Sequence, residues 1–185
     1  MKTKLLKLLA VMTISITALF ALGITASAAT AGDFTITLTE GGGDPVADTD
    51  YTYADGVLTI KSSAAMTISG TTTTDRIEVA DGVSANITLA GVNIDVSEQN
   101  YTAAFKIADN STGNVTITLA DGKTNTLKSV NNCAGLQKNG EYSETLGKLT
   151  ITGTGTLTAT GGACGAGIGG GFNGTLEDLI ISGFL

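Results

Sequence analysis

The feature that most constrains this chain is an internal repeat. A short alternation recurs as Met66-Thr-Ile-Ser-Gly70, Ile87-Thr-Leu-Ala-Gly91, Ile117-Thr-Leu-Ala-Asp121, Leu149-Thr-Ile-Thr-Gly153 and Leu179-Ile-Ile-Ser-Gly183, with first residues 21, 30, 32 and 30 apart. A second series precedes each copy: Leu58-Thr-Ile60, Ile77-Glu-Val79, Phe105-Lys-Ile107, Ala134-Gly-Leu136 and Ala166-Gly-Ile168. Both series alternate with period two, the mark of strands with one buried face. A unit of this length, holding two or three short strands and glycine-rich corners, suits one coil of a parallel β-solenoid. The spacing therefore predicts an all-β fold of about five coils over residues 51–185. Residues 29–50 supply a cap strand at Phe34–Thr39 and a loop at Gly41–Pro45. A β-sandwich would also give short alternating strands, but would not require them in register. The chain stops at Leu185, just after the last repeat, which suggests an incomplete C-terminal end and an open coil available for self-association.

Residues 1–28 read as an address. Lys2, Lys4 and Lys7 precede the nearly continuous apolar run Leu8–Ile24, and Ala26-Ser27-Ala28 is a small-residue cleavage signal. The alternative is an uncleaved membrane anchor. Cleavage implies a secreted or cell-surface protein.

The chain carries Lys+Arg 10 against Asp+Glu 17, a net charge of −7, and no histidine. Without the three leader lysines, the balance becomes 7 against 17, or −10. Such a surface repels nucleic-acid phosphates and anionic lipid. The lack of histidine excludes the catalytic triads and zinc sites that need an imidazole.

The stretches Ala54–Ile60, Met66–Thr71, Ile87–Ile94, Leu119–Leu127 and Leu149–Leu157 stand out beyond their period. Together they resemble a family of secreted and cell-surface carbohydrate-binding β-helix proteins of clostridial bacteria. The resemblance spans roughly residues 51–160 and implies a right-handed parallel β-helix. It also implies binding of an acidic, uronate-type plant polysaccharide such as polygalacturonate, assisted by calcium. After Gly161 the run Ala166-Gly-Ile-Gly-Gly-Gly171 instead resembles glycine-rich repeats of surface adhesins.

Strand alignment places Asp81 and Asp109 at equivalent points of adjacent coils. Two stacked carboxylates repel unless a cation or donor separates them, and calcium, which seeks oxygen, is the natural candidate. The competing reading is a solvated ladder, in which Lys138, one coil further, pairs with Asp109 while Glu78 stacks on Lys106. Asp55-Gly56, Asp81-Gly82 and Asp121-Gly122 are also ordinary turn signals. Aromatic residues are scarce, so Tyr51 and Tyr53 on one strand face, and Tyr101 and Tyr142 in inter-coil loops, are the candidate sugar platforms. The alternative for either pair is a staple at the edge of the core. The longest irregular insertion, 137–147, is a candidate binding face. Outward Thr67, Thr88, Thr118 and Thr150 are expected to stack. Cys133 and Cys164 lie about one coil apart, and either a disulfide or two free thiols is consistent with that spacing.

Pectin-cleaving activity is the rival class. A lyase needs a strong base near the uronate, and Arg76, the sole arginine, sits at a corner before Ile77. A hydrolase needs opposed carboxylates, whereas Asp81 and Asp109 share one ladder. The expectation is a non-catalytic carbohydrate-binding protein, with a structural or adhesive surface repeat as the alternative.

Overall fold

A computed structural model describes residues 28–39, 44–100, 102–140 and 145–183. The leader up to Ser27, the glycines at 41–43, Tyr101 and Tyr142 lie outside the described residues. The described chain is all-β, without a helix, and winds a β-solenoid of about three turns.

Two sheets carry the two repeat series. The first stacks β4 (Val57–Ile60), β6 (Arg76–Val79), β8 (Phe105–Ile107), β11 (Leu136–Lys138) and β14 (Ile168–Gly169). The second stacks β5 (Ala65–Thr72), β7 (Asn86–Asp95), β9 (Val115–Leu119), β12 (Leu149–Gly153) and β15 (Leu179–Ile181). All of these pairings are parallel. Strand spacing of about 4.8 Å then puts equivalent side chains directly over one another. Leu58, Ile77, Phe105 and Leu136 form one inward column, and Met66, Ile87, Ile117 and Ile151 another; none is more than 2% exposed. Fully burying each such side chain contributes about 1.5–3 kcal/mol.

The sequence series did not reveal a third face. β5 and β7 run on past a bend, and their ends align with β10 (Thr124–Lys128) and β13 (Thr156–Thr160). The bend in β5 is a register irregularity between Ile68 and Gly70. Gly153 takes φ +98° at the matching corner of a later coil, where a Cβ would strike the Leu119 carbonyl. Glycine is required there both by the backbone conformation and by the close approach.

Two hairpins precede the parallel strands. β1 (Ala28–Ala31) and β2 (Phe34–Leu38) pair antiparallel, and β2 continues antiparallel onto β5 with Phe34 and Ile36 fully buried. β3 (Tyr51–Ala54) pairs with β4 through Asp55-Gly56, both at positive φ (50° and 73°). That is the type I′ hairpin turn for which Asp-Gly is suited, so Asp55 acts there as a turn residue.

The register differs from the sequence alignment in two places. Leu149 stands over Val115, and Ile151 over Ile117; the outward threonine over Thr118 is therefore Thr152, while Thr150 covers Thr116. Leu136, not Ala134, stands over Phe105. Lys138 is consequently in the inward column behind Ile107 and is 2% exposed, so it does not pair with Asp109. Both slips are of two residues, which preserves the inward and outward faces.

Asn125 occupies an inward position of the third face and is 0% exposed. Its Oδ1 accepts from the amides of Gly91 and Val92 at 2.9 Å each, and its Nδ2 donates to the Thr156 carbonyl at 3.2 Å. Asn125→Leu leaves these backbone groups unpaired and is expected to cost about 3 kcal/mol in urea unfolding. Thr126→Ala, on the outer side of the same strand, is expected to cost about 0.5 kcal/mol or less. Equal effects would contradict the stitching role of Asn125.

Candidate functional site

The turns that leave β8, β11 and β14 fall at the same corner of three successive coils. Because the coils stack, short polar turns that are about 30 residues apart in sequence converge. They line a groove of about 240 Å³ between Asp109, Asn110, Asn139, Gly140, Phe172 and Asn173. Lys106 Nζ donates to Asp109 Oδ2 at 2.9 Å, and Asn139 Nδ2 donates to Asp109 Oδ1 at 3.0 Å. Asn139 Oδ1 in turn accepts the Gly171 amide at 3.0 Å. One polar chain therefore links the three turns. Asn110 and Asn173 both take positive φ (57° and 59°), a conformation asparagine tolerates better than most residues. The Phe172 ring is 60% exposed at the rim. An exposed flat apolar face beside fixed amides and a carboxylate is amphipathic in the way a pyranose ring is.

Sequence reasoning singled out Asp109, and Asn139 through the 137–147 insertion, but missed Phe172 and Asn173. The Phe172-Asn173-Gly174 triplet ends a glycine-rich run and carries no period-two signal. Its only cue was an aromatic among turn residues in an otherwise aromatic-poor chain.

Asp81 is exposed in the turn after β6, beside the turn after β8, where Gly82 N–H donates to Ser111 Oγ at 3.2 Å. Asp109 is already matched by a lysine cation and an amide. Calcium takes six to eight oxygens, and no group of three or more Asp, Glu, His or Cys side chains converges among the described residues. Glu78 does stack beside Lys106 in the next coil, while its carboxylate pairs with Arg76 at 3.3 Å. Asp121 Oδ1 accepts from Thr154 Oγ1 at 2.7 Å, tying one corner to the next.

Tyr51 and Tyr53 do share a strand face, opposite Ile60 and Leu58. Tyr51 is buried and closes the end of the core. Tyr53 is 39% exposed, but its hydroxyl donates to Asp75 Oδ2 at 2.7 Å. That oxygen also accepts the Asp33 amide at 3.1 Å, and Asp75 Oδ1 accepts from Thr74 Oγ1 at 3.0 Å. Gly32, between β1 and β2, lies so close that any Cβ would overlap the Tyr53–Asp75 pair. This pair fastens the first hairpin to the solenoid. Cys133 is buried and Cys164 exposed, and both thiols are free; burial pushes the Cys133 thiol up.

The third face carries a second, shallower trough. Thr71, Asn93, Thr126 and Thr158 form an outward row, and Asp95 pairs with Lys128 at 3.0 Å beside it. Hydrogen bonds from Ser97, then from Lys128, hold the Asp95 carboxyl below the usual range.

A model of carbohydrate-binding domain-containing proteins matches residues 54–176, which includes every residue of the groove. The chain belongs to that family. No curated protein and no solved structure matched it. The family match extends past Gly161 to the turn that carries Phe172, so the glycine-rich stretch falls within the matched domain.

Asp75 provides a pH test of the hairpin anchor. Burial opposes its ionisation, but hydrogen bonds from Tyr53, Asp33 and Thr74 outweigh burial and lower its pKa from 3.8. The native state therefore holds the anion more tightly than the unfolded chain does. The resulting stability is present above pH 3.8 and is lost as pH falls through the lowered value. Asp75→Asn is expected to reduce stability at pH 7 by about 1–3 kcal/mol and to flatten its acid dependence, measured by thermal unfolding between pH 2 and 7. An unchanged acid profile would contradict the anchor.

Proposed function

We propose that the protein binds polysaccharide, without cleaving it, in the groove rimmed by Phe172. The observation that carries this reading is the exposed Phe172 ring set against the side chains of Asn139, Asn173 and Asp109. The ring would cover the C–H face of a sugar, and the amides would serve its hydroxyls. Membership of a carbohydrate-binding family supports the same ligand class.

The finer reading is a uronate-type ligand. Its carboxylate would compete with Asp109 for Lys106 and take further hydrogen bonds from the groove amides. Such a pair is weakened by salt. Calcium assistance is not needed for this contact. The absence of cleavage is supported by what the groove holds. Its single carboxylate, Asp109, is paired with Lys106, while a glycosidase needs two carboxyl groups about 5–9.5 Å apart. Arg76, which could have served as a lyase base, is held by Glu78 on the outer side of β6.

The reading extends to the whole chain. Five parallel strands stack on each of the two main faces; in this reading β2, which pairs with β5, caps them and a leader directs export of the domain. The alternative, an adhesive surface repeat without a defined glycan, draws on the exposed Ile180 and Ile181 of β15, whose pairing is with β12. Those residues offer an edge for a second copy of the chain.

Retention on immobilised polygalacturonate in affinity electrophoresis tests the proposal. Phe172→Ala is expected to weaken retention about 10-fold, the equivalent of about 1.4 kcal/mol. A chelator is expected to leave retention unchanged, and no unsaturated products are expected to appear. Retention unaffected by Phe172→Ala would exclude the groove, and failure of the wild type to bind any glycan would favour the adhesive reading.

A further inference from the structure

Lys138 is anomalous in its setting. The column Ile60, Val79, Ile107 is fully buried, and the next rung offers a lysine that is 2% exposed. Lysine is almost never buried to that degree unless its ammonium finds a partner. Here Nζ donates to the Glu177 carbonyl at 3.2 Å. That carbonyl belongs to residues 170–178, the strap that leaves β14, carries Phe172 and leads into β15.

The strap is fastened along its length to the neighbouring coil. The Gly171 amide donates to Asn139 Oδ1 at 3.0 Å, and the Phe172 amide donates to the Asn132 carbonyl at 2.8 Å. Gly140 and Thr175 are joined through the Gly140 amide at 3.0 Å and through Thr175 Oγ1, which donates back to the Gly140 carbonyl at 2.5 Å. The Leu149 amide donates to the Asp178 carbonyl at 2.9 Å. Several of these ties start from buried backbone, at Gly140 and Leu149. The bond from Lys138 is the one made by a charged side chain, which stands in an otherwise apolar column and whose charge strengthens the bond.

We propose that Lys138 is the positioning residue of the glycan groove, an internal tether that holds the 170–178 strap so that Phe172 stands over Asn139 and Asp109. The inference rests on the groove being the binding site. An aliphatic side chain would suit the column better, since replacing a buried charge by a packed apolar group is often neutral or stabilising. A lysine at this point spends stability on holding the strap. Among the described residues, the charged groups acting on the ammonium are Asp178 and Glu177, both on the strap. Burial lowers the lysine's pKa from 10.5, opposed by those two carboxylates. Between the lowered value and 10.5 the unfolded chain binds more protons than the native one, so the Lys138 contribution to stability rises with pH in that window. Loss of the proton also removes the charge from the donor, so the tether slackens over the same interval.

Lys138→Met tests the tether, with Lys138→Arg as a second variant that keeps the charge. Amide hydrogen exchange needs no ligand. Lys138→Met is expected to leave the melting temperature unchanged or raised, while exchange at Gly140 and Leu149 accelerates about 10-fold and exchange at Leu119 does not. In affinity electrophoresis on polygalacturonate, Lys138→Met is expected to bind about 5-fold more weakly. Wild-type binding is expected to fall, as pH rises toward 10.5, more steeply than that of Lys138→Met. Lys138→Arg, if folded, is expected to bind more tightly than Lys138→Met. Unaltered exchange at Gly140 and Leu149 in Lys138→Met would overturn the tether whatever the glycan result. Faster exchange with unaltered wild-type-like binding would overturn its role in the groove. A wild type that binds no glycan would remove the groove reading, and the exchange arm would still decide the tether.

Discussion

The structure depends on one constraint: backbone hydrogen bonds join each coil to the next in parallel register. Once they are set, a side chain has little choice of neighbour. Whatever points inward in one coil covers its equivalent in the coil before, and the same holds for the turns. This brings the turns at 109–110, 139–140 and 171–174 together although they are far apart in sequence. The groove is therefore a product of stacking and needs no insertion domain to form it. The same stacking sets the Thr71, Asn93, Thr126 and Thr158 row on the third face.

Stacking also determines where polar groups are admitted. Asn125 and Lys138 both stand in columns that are otherwise apolar, and each is satisfied by backbone of a different segment. Among the described residues no buried side-chain nitrogen or oxygen lacks a partner. Asn125 ties three strands of the third face at a bend. Lys138 reaches the strap that presents Phe172. In both cases an interior position gives up apolar burial so that an irregular part of the backbone is held in place.

What was legible in the sequence follows from the period of a strand. Alternation identified the inward residues of the first two faces, and parity survived even where the register was misjudged. The strings around Ile117 and Leu149 are so alike that a slip of two residues gives an equally good apolar match, and only the pairing of Leu149 with Val115 separates the two. The third face was less legible because its inward positions include Asn125, which breaks the apolar pattern. Aligning Ala134 with Phe105 puts Lys138 level with Asp109, and the two-residue slip moves it to the inward position over Ile107. The tyrosines drew attention as aromatic residues, yet Tyr51 and Tyr53 serve the first hairpin, while the exposed ring of the groove is Phe172 in a stretch that reads as loop.

The central claim is that the coils stack in this register, since both the groove and the tether follow from it. Disulfide trapping measures it most directly, in a background where Cys133 and Cys164 are replaced by serine. Two cysteines on adjacent strands can join only when their Cα atoms lie within about 7 Å. The account predicts rapid oxidation of the pair Thr118→Cys with Thr152→Cys, which face each other across β9 and β12. Preferential oxidation of Thr118→Cys with Thr150→Cys would contradict it.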